Sequence, residues 1–545
     1  GFFVWKAWKM VKAMKAKPDD LFVLALTCGL SVLMALLMIR GLWPKKRHDA
    51  DEDDRIEVTA ESEPQLYQFI CQVADEVKAP RPAAIYLSNH VNASMFYEVR
   101  LHNLIIPVKK KLEIGFGLIN VLNLSEFKAV LAHEFGHFSQ ARSSAVGRYV
   151  YISQRIVSEF LGARGWIDSL LRGLSQIDLR LAWLGWLGRI LAWSVRSVFE
   201  TIFGWILIAE RALGRQMEFH ADSVAVSAAG SDAIVNGLYK LRAADNGLSQ
   251  SLSFMNTLGS KGKAIPDVFD VQHNIIERMT NILGQSYSQP TSCPPGVDPA
   301  THRVFEQSIA IPPQMWSTHP ANTDREDNAK RIYVFCPQDV RSPWLLFRDA
   351  EGLKQQATRD LYKTPETLDQ LSLDNAREAV HAEYGDEYLS TRYMGIYIDR
   401  HVTRSAAKVE DLFELTPTPT AWSDLYPESL RDLVESLDQL EKEESQLKAL
   451  AIGIADAPGG VVRFRGEDFR AKDIPRLQQH VNDELAKTDK SMSQALKRIR
   501  SAHRFAAKAL GPQWLARHTS HVQLVHYLEH VVAVDEMVLE CRAEV

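Results

Sequence analysis

The sequence predicts a mainly helical α+β chain. It should hold an N-terminal transmembrane helix, a mixed domain with a small sheet ending in an edge strand, and a long helical C-terminal region. Three observations carry this. Leu21 to Ile39 contains no charged residue and as a helix spans roughly 28 Å, enough for a bilayer core. Short strand-like runs at 84–87 and 93–99, broken by Ser-Asn-His, lie among segments of helical period. Beyond residue 345 the pattern is mostly polar helix.

The bulk figures agree. At 545 residues the chain is too long for one ordinary core. Hydrophobic residues at 46% and charged residues at 24% place it among globular chains. A net charge of −5 gives no basic footprint, so nucleic acid is not an expected partner. Cys28, Cys71, Cys293, Cys336 and Cys541 are odd in number and form no C-x-x-C. That argues against a disulfide framework or a Cys-ligated metal and favours a reducing compartment. The chain opens on Gly1 rather than Met, so further residues are expected upstream.

Residues 1–17 read as a basic interfacial helix on a lipid bilayer, with Lys6, Lys9, Lys12 and Lys15 beside Trp5 and Trp8. Residues 18–43 form the expected span, with Arg40, Trp43, Lys45, Lys46 and Arg47 as anchors. Basic residues on both flanks leave its orientation undecided. Residues 44–55 are a charged linker. The domain at 56–335 starts with a helix at 64–79, then the strands, then a helix from Glu126 to about Ala141 with Ser125 as N-cap. Within it, residues 143–216 are rich in Trp, Leu and Ile but broken by charges such as Arg189 and Glu200. They read as amphipathic helices on the membrane, or as a helical hairpin buried in protein. Residues 245–310 read as loop-rich, and Pro294, Pro295 and Pro299 mark an irregular stretch. In the region 336–545, helices are expected at 428–450, 473–510 and 514–541, with a small hairpin within 456–470 and no coiled-coil heptad over four turns.

The chemistry centres on AVLAHEFGHFSQ, residues 129–140. His133 and His137, four residues apart, share one helix face and can offer two nitrogens to one ion. Glu134, beside the first, can reach a metal-activated water without being a ligand. A catalytic zinc needs a third protein ligand. GRQMEFHADSVAV, residues 214–226, offers Glu218, with Asp222 one turn on to orient a ligand histidine. Taken alone, that segment reads first as an amphipathic helix with solvated acids.

LEIGFGLINVLNLSEFKAVLAHEFGHFSQ and RQMEFHADSVAV resemble the HtpX and CAAX prenyl endopeptidase family of membrane zinc metallopeptidases, a gluzincin group. The resemblance implies a gluzincin-type domain holding one Zn²⁺ per chain at His133, His137 and Glu218, with Glu134 as general base. It also implies supporting roles for Asp222 and for Arg215 just before the glutamate. In HVNASMFYEV, Asn92 and Ala93 resemble the family's substrate-pairing edge strand. In WSTHPANTDR, His319 and Arg325 resemble its oxyanion-stabilising pair. The implied partners are membrane-associated or misfolded polypeptides, and the implied place is a bacterial cytoplasmic membrane with the catalytic domain on the cytoplasmic side. One expected span is fewer than the family usually shows. Residues 336–545 match no motif and leave a protein partner or self-association through the C-terminal helices open. A membrane scaffold with a vestigial zinc site is the competing function. A structural zinc site is less suited, because such sites are closed by four ligands.

Overall fold

The computed structural model describes residues 55–96, 110–139, 214–305, 320–362, 367–386, 389–398, 406–414, 421–452, 461–465 and 467–544. The expected membrane span, the interfacial helix, most of 143–216 and His319 lie outside them. Among the described residues, no helix is long and apolar enough to cross a membrane. Nearly all of them belong to one compact unit built from 54–95, 111–139 and 215–545.

The small sheet forms as the alternation predicts. β1 (Ile56–Val58), β2 (Ala84–Ser88), β3 (Ala93–Phe96) and β4 (Lys111–Gly115) lie in the order β1-β2-β4-β3, which leaves β3 at an edge. β1 runs antiparallel to β2, and β2 runs parallel to β4 with Ile85 opposite Leu112. Ile85, Leu87, Leu112 and Ile114 point inward and are fully buried, as a period of two demands. α1 (Pro64–Glu76) starts on the expected residue, with Pro in its first turn, and buries Leu66, Ile70 and Val73.

α2 (Leu124–Ser139) carries the H-E-x-x-H. Its cap is Asn123 rather than Ser125. The Asn123 side chain accepts the Glu126 N–H at 2.8 Å, and Glu126 in turn accepts the Asn123 N–H at 2.9 Å, a reciprocal box of the kind that closes helix starts. Ser125 is already inside the helix, and its hydroxyl accepts the Asp339 N–H. The helix's free N–H groups at Leu124 and Ser125 are taken by the carbonyls of Arg341 and Asp339.

Helix α3 covers 214–229, followed by α4 (Ser231–Ser260) and α5 (Val268–Leu283). Of the expected loop-rich stretch 245–310, residues 245–260 and 268–283 are therefore helical. Its Ser-, Asn- and Gly-rich surface hid a buried row at Leu248, Ser251, Met255 and Leu258, so packing overrides propensity. Beyond α6 (Asn322–Lys330) and α7 (Ala350–Asp360), β6 (Asp369–Gln370) pairs in parallel with β5 (Lys263–Ala264). α8 (Leu373–Glu383) follows. One core runs from Val58 through Phe127, Leu131 and Phe269 to Phe347, Val380 and Leu389.

The C-terminal region follows the sequence pattern. α9 (Glu428–Ala451) and α10 (Ile474–Leu510) are joined by the hairpin of β7 (Val461–Phe464) and β8 (Glu467–Arg470). Leu430 shares a cluster with Met492 and Leu496, and Leu447 with Leu477 and Val481, so the two helices are antiparallel. α11 (Pro512–Glu544) follows after Gly511.

Candidate metal centre

α2 and α3 cross where each lacks bulk. A Cβ built on Gly136 would lie 2.8 Å from the Ala221 Cα. A clash with backbone at that distance cannot be relieved by a rotamer change, so the hydrogen of Gly136 is what allows the two helices to meet. The meeting sets the histidines against Glu218.

Nε2 of His133 and Nε2 of His137 are 3.2 Å apart. Glu218 places its carboxylate oxygens 3.4 Å from the first and 3.6 Å from the second. Zinc–ligand bonds of about 2.0–2.1 Å in a tetrahedron give ligand–ligand edges of about 3.3–3.4 Å. The separation of the two histidine nitrogens is close to such an edge, and Glu218 holds one carboxylate oxygen at a similar distance from each of them, Oε2 from His133 and Oε1 from His137. Among the described residues, this is the group of three His, Cys, Asp or Glu side chains that converge in this way.

Behind the cluster the partners are fixed. The Nδ1 of His133 lies 2.9 Å from Asp222 Oδ1, so the hydrogen on Nδ1 is donated there and Nε2 is the nitrogen turned towards His137 and Glu218. Asp222 is held in turn by Arg325, whose Nε and Nη2 donate at 3.0 and 2.6 Å. Arg325 and Asp222 are 2% and 0% exposed, so this fork belongs to the interior rather than to the cleft. Burial would raise the Asp222 carboxyl, but the charge of Arg325 and the bonds from His133 and Arg325 hold it down at about 2. Burial and Arg325 push the His133 imidazole down, while its bonds to Asp222 and Glu218 more than offset them and raise it to about 9.

Glu134 is also buried. Burial raises its carboxyl to about 7, with Glu218 pushing the same way and His133, Arg325 and the Met95 N–H pulling against them. The Met95 N–H comes from edge strand β3, so the strand expected to hold substrate also holds Glu134.

The remaining expected residues are placed as follows. Ala93 is buried at the start of β3, and the Asn92 carbonyl accepts the Gly115 N–H, which ties this end of β3 to β4. Arg215 is exposed on the first turn of α3. Arg325 is buried, with Nε and Nη2 donating to Asp222 and Nη2 3.3 Å from the His133 ring. Sequence reasoning did not find Gly136, the Met95 N–H or the buried Lys240–Glu126 pair under the cap. Only Gly136 had a visible signal, a glycine inside a helix opposite an alanine.

The comparisons with known proteins fall on these residues. The family model described as Peptidase family M48 matches residues 60–332. A "Protease HtpX homolog" of Pelotomaculum thermopropionicum is 25% identical over 238 residues, covering 41% of this chain and 77% of the relative. A "Protease HtpX" of Chromohalobacter salexigens is 26% identical over 190 residues, covering 32% of this chain and 58% of the relative. No solved structure gives a significant match. With the family match spanning half of the chain and including both metal-site helices, the chain belongs to peptidase family M48 and is a metallopeptidase, hydrolysing peptide bonds.

Proposed function

We propose that the chain is a membrane-anchored, zinc-dependent endopeptidase acting on membrane-associated or misfolded polypeptides. The observation that carries the zinc reading is the convergence of His133, His137 and Glu218, with the two Nε2 atoms 3.2 Å apart and a Glu218 oxygen at 3.4 and 3.6 Å from each in turn. It supports His133, His137 and Glu218 as ligands. Zinc bound there supplies Lewis acidity, polarising the scissile carbonyl and making water acidic near neutral pH. Glu134 accepts the water proton on its carboxylate and delivers it to the leaving amine. Burial suits it to this, because a carboxyl raised towards 7 both takes and returns a proton at neutral pH. Asp222 orients His133, and Arg325 keeps Asp222 charged and in place. Arg325 is thus read as a positioning residue, while His319 keeps the oxyanion role its motif suggests. Backbone groups of β3 near Asn92 and Ala93 grip an extended substrate strand. The uncharged run at 21–39 supports the anchor.

Glu134→Gln tests the reading. The variant should bind one zinc per chain as the parent does and lose at least about 10²-fold in cleavage of an unfolded protein substrate. Unchanged cleavage with zinc retained would remove Glu134 from the mechanism.

A further inference from the structure

α6 reaches α3 through two side chains that share one of its faces. Arg325 donates to Asp222 through Nε and Nη2. One turn further along α6, Asn328 Nδ2 donates to the Phe219 carbonyl at 2.7 Å. The carbonyl can only accept, so the amide nitrogen of Asn328 is the atom that faces it. Arg325 and Asn328 step forward along α6 while Asp222 and Phe219 step back along α3. The two bonds are therefore rungs between antiparallel helices, each pair lying on one helix face.

The second rung falls where α3 is held least by packing. Ala221, Asp222 and Ala225 are fully buried. Ahead of them Arg215 and Gln216 are exposed, and a Cβ on Gly214 would meet nothing within 4 Å. Glu218 lies in this thinner part, next in the chain to Phe219. α6, by contrast, is well anchored. Its Glu326 accepts Lys330 Nζ at 2.7 Å and the Val304 and Phe305 N–H groups. The Ala329 carbonyl accepts the Ser231 hydroxyl at 2.8 Å.

We propose that Asn328 is the positioning residue of Glu218, fixing the turn of α3 from which that carboxylate reaches His133 and His137. The inference rests on the zinc reading above. It makes α6 the common support of two candidate ligands carried by different helices. The Arg325 rung acts on His133 through Asp222, and the Asn328 rung acts on Glu218 through the backbone beside it. Ligand distances at a zinc site tolerate only about 0.2 Å, so a turn released from α6 carries its carboxylate out of range.

The test uses the full chain, with zinc affinity from competition with a chromophoric chelator and the visible spectrum of the cobalt(II)-loaded protein. Asn328→Ala removes the donor, and Asn328→Asp keeps its shape but turns an acceptor towards the carbonyl. With circular dichroism as in the parent, both variants should bind zinc about tenfold more weakly, the scale for losing an outer partner of a ligand. Their cobalt spectra should move towards that of Glu218→Ala, which a merely stabilising bond would not cause. Asp327→Asn, which breaks the exposed pair with Arg303 on the same helix, should leave affinity and spectrum as in the parent. Parent-like affinity or an unmoved spectrum in the Asn328 variants overturns the proposal while the zinc reading stands. An equal loss in Asp327→Asn assigns the effect to a loosened α6 and also overturns it. A parent that binds no zinc removes the zinc reading and this inference together.

Discussion

Replacing Gly136 with alanine tests whether the approach of α2 and α3 sets the metal site. The new methyl would meet the Ala221 Cα at 2.8 Å and the Val224 Cβ at 3.1 Å. Carbon atoms rest at about 3.5–4.0 Å, so the helices must part by roughly 0.7 Å at the crossing. Glu218 rides on α3 and the histidines on α2. A shift of that size exceeds the tolerance of about 0.2 Å on zinc–ligand distances. Overpacking alone costs about 1–3 kcal/mol of stability. Zinc affinity should fall about 10–100-fold, and cleavage at saturating zinc about 10²-fold if the ligand set stays displaced. Zinc affinity is read by competition with a chromophoric chelator and stability by urea unfolding. Gly237→Ala is the control: it lies in α4, the nearest atoms to its added Cβ are at 3.7 Å, and alanine there favours the helix by about 1 kcal/mol. If Gly136→Ala binds zinc and cleaves like the parent, the crossing does not set the ligand geometry.

Asp222→Asn leaves the buried Arg325 without its counter-charge. The change should cost about 3–5 kcal/mol in urea unfolding and about 10–100-fold in zinc affinity; unchanged values of both would show that the fork is dispensable. Lys330→Met strands the Glu326 carboxylate, whose residue is 0% exposed and which also accepts the Val304 and Phe305 N–H groups. A loss of about 3–5 kcal/mol is expected by the same measurement. Burial lowers His503, which faces Tyr426 and Trp422. Burial, His503, Arg504 and His521 together lower His518, which faces Phe413. A histidine with a depressed folded pKa is protonated more readily in the unfolded chain. Its contribution is therefore complete above about pH 6.5 and declines as the pH falls below that value. The unfolding midpoint of the C-terminal helices, followed by tryptophan fluorescence, should drop between about pH 7 and 5. A His503→Gln/His518→Gln variant should flatten that dependence; an equally steep profile in the variant would place the acid sensitivity elsewhere.

The candidate ligand group converges because helical spacing does part of the geometric work. His133 with His137, and Glu218 with Asp222, each lie four residues apart, and each pair shares a face wherever the helix packs. What spacing cannot show is which elements meet. Arg325 lies 103 residues beyond Asp222, and no local pattern announces that it will be buried against that carboxylate. The C-terminal helices were read nearly to the residue, since a long apolar period survives a polar surface. α4 was misread beyond 245 because Asn246, Gly247 and Ser249 look like loop residues. Gly247 is there to accept Ile276, whose Cγ1 lies 2.6 Å from where a Cβ would stand. Ser125, just before Glu126, reads as a cap from the sequence. The true signature was the Asn123-x-x-Glu126 pair, and the helix begins one residue earlier.

The core that begins at Val58 does not stop where the inherited peptidase sequence stops. Trp344 stacks on Phe116 and tilts against Phe269, and Tyr362 donates no less to the fold by accepting the Ile265 N–H. Heredity and cooperativity thus draw different borders on this chain. A truncation after 332 keeps every described candidate ligand yet strips the covering from Phe116 and Phe269 and leaves β5 without its neighbour. The buried cluster that includes Phe127 and Leu131 of the H-E-x-x-H helix also takes in Phe347, Ala357, Val380 and Leu389. A transplant of the catalytic unit that ends at 332 leaves part of that cluster behind.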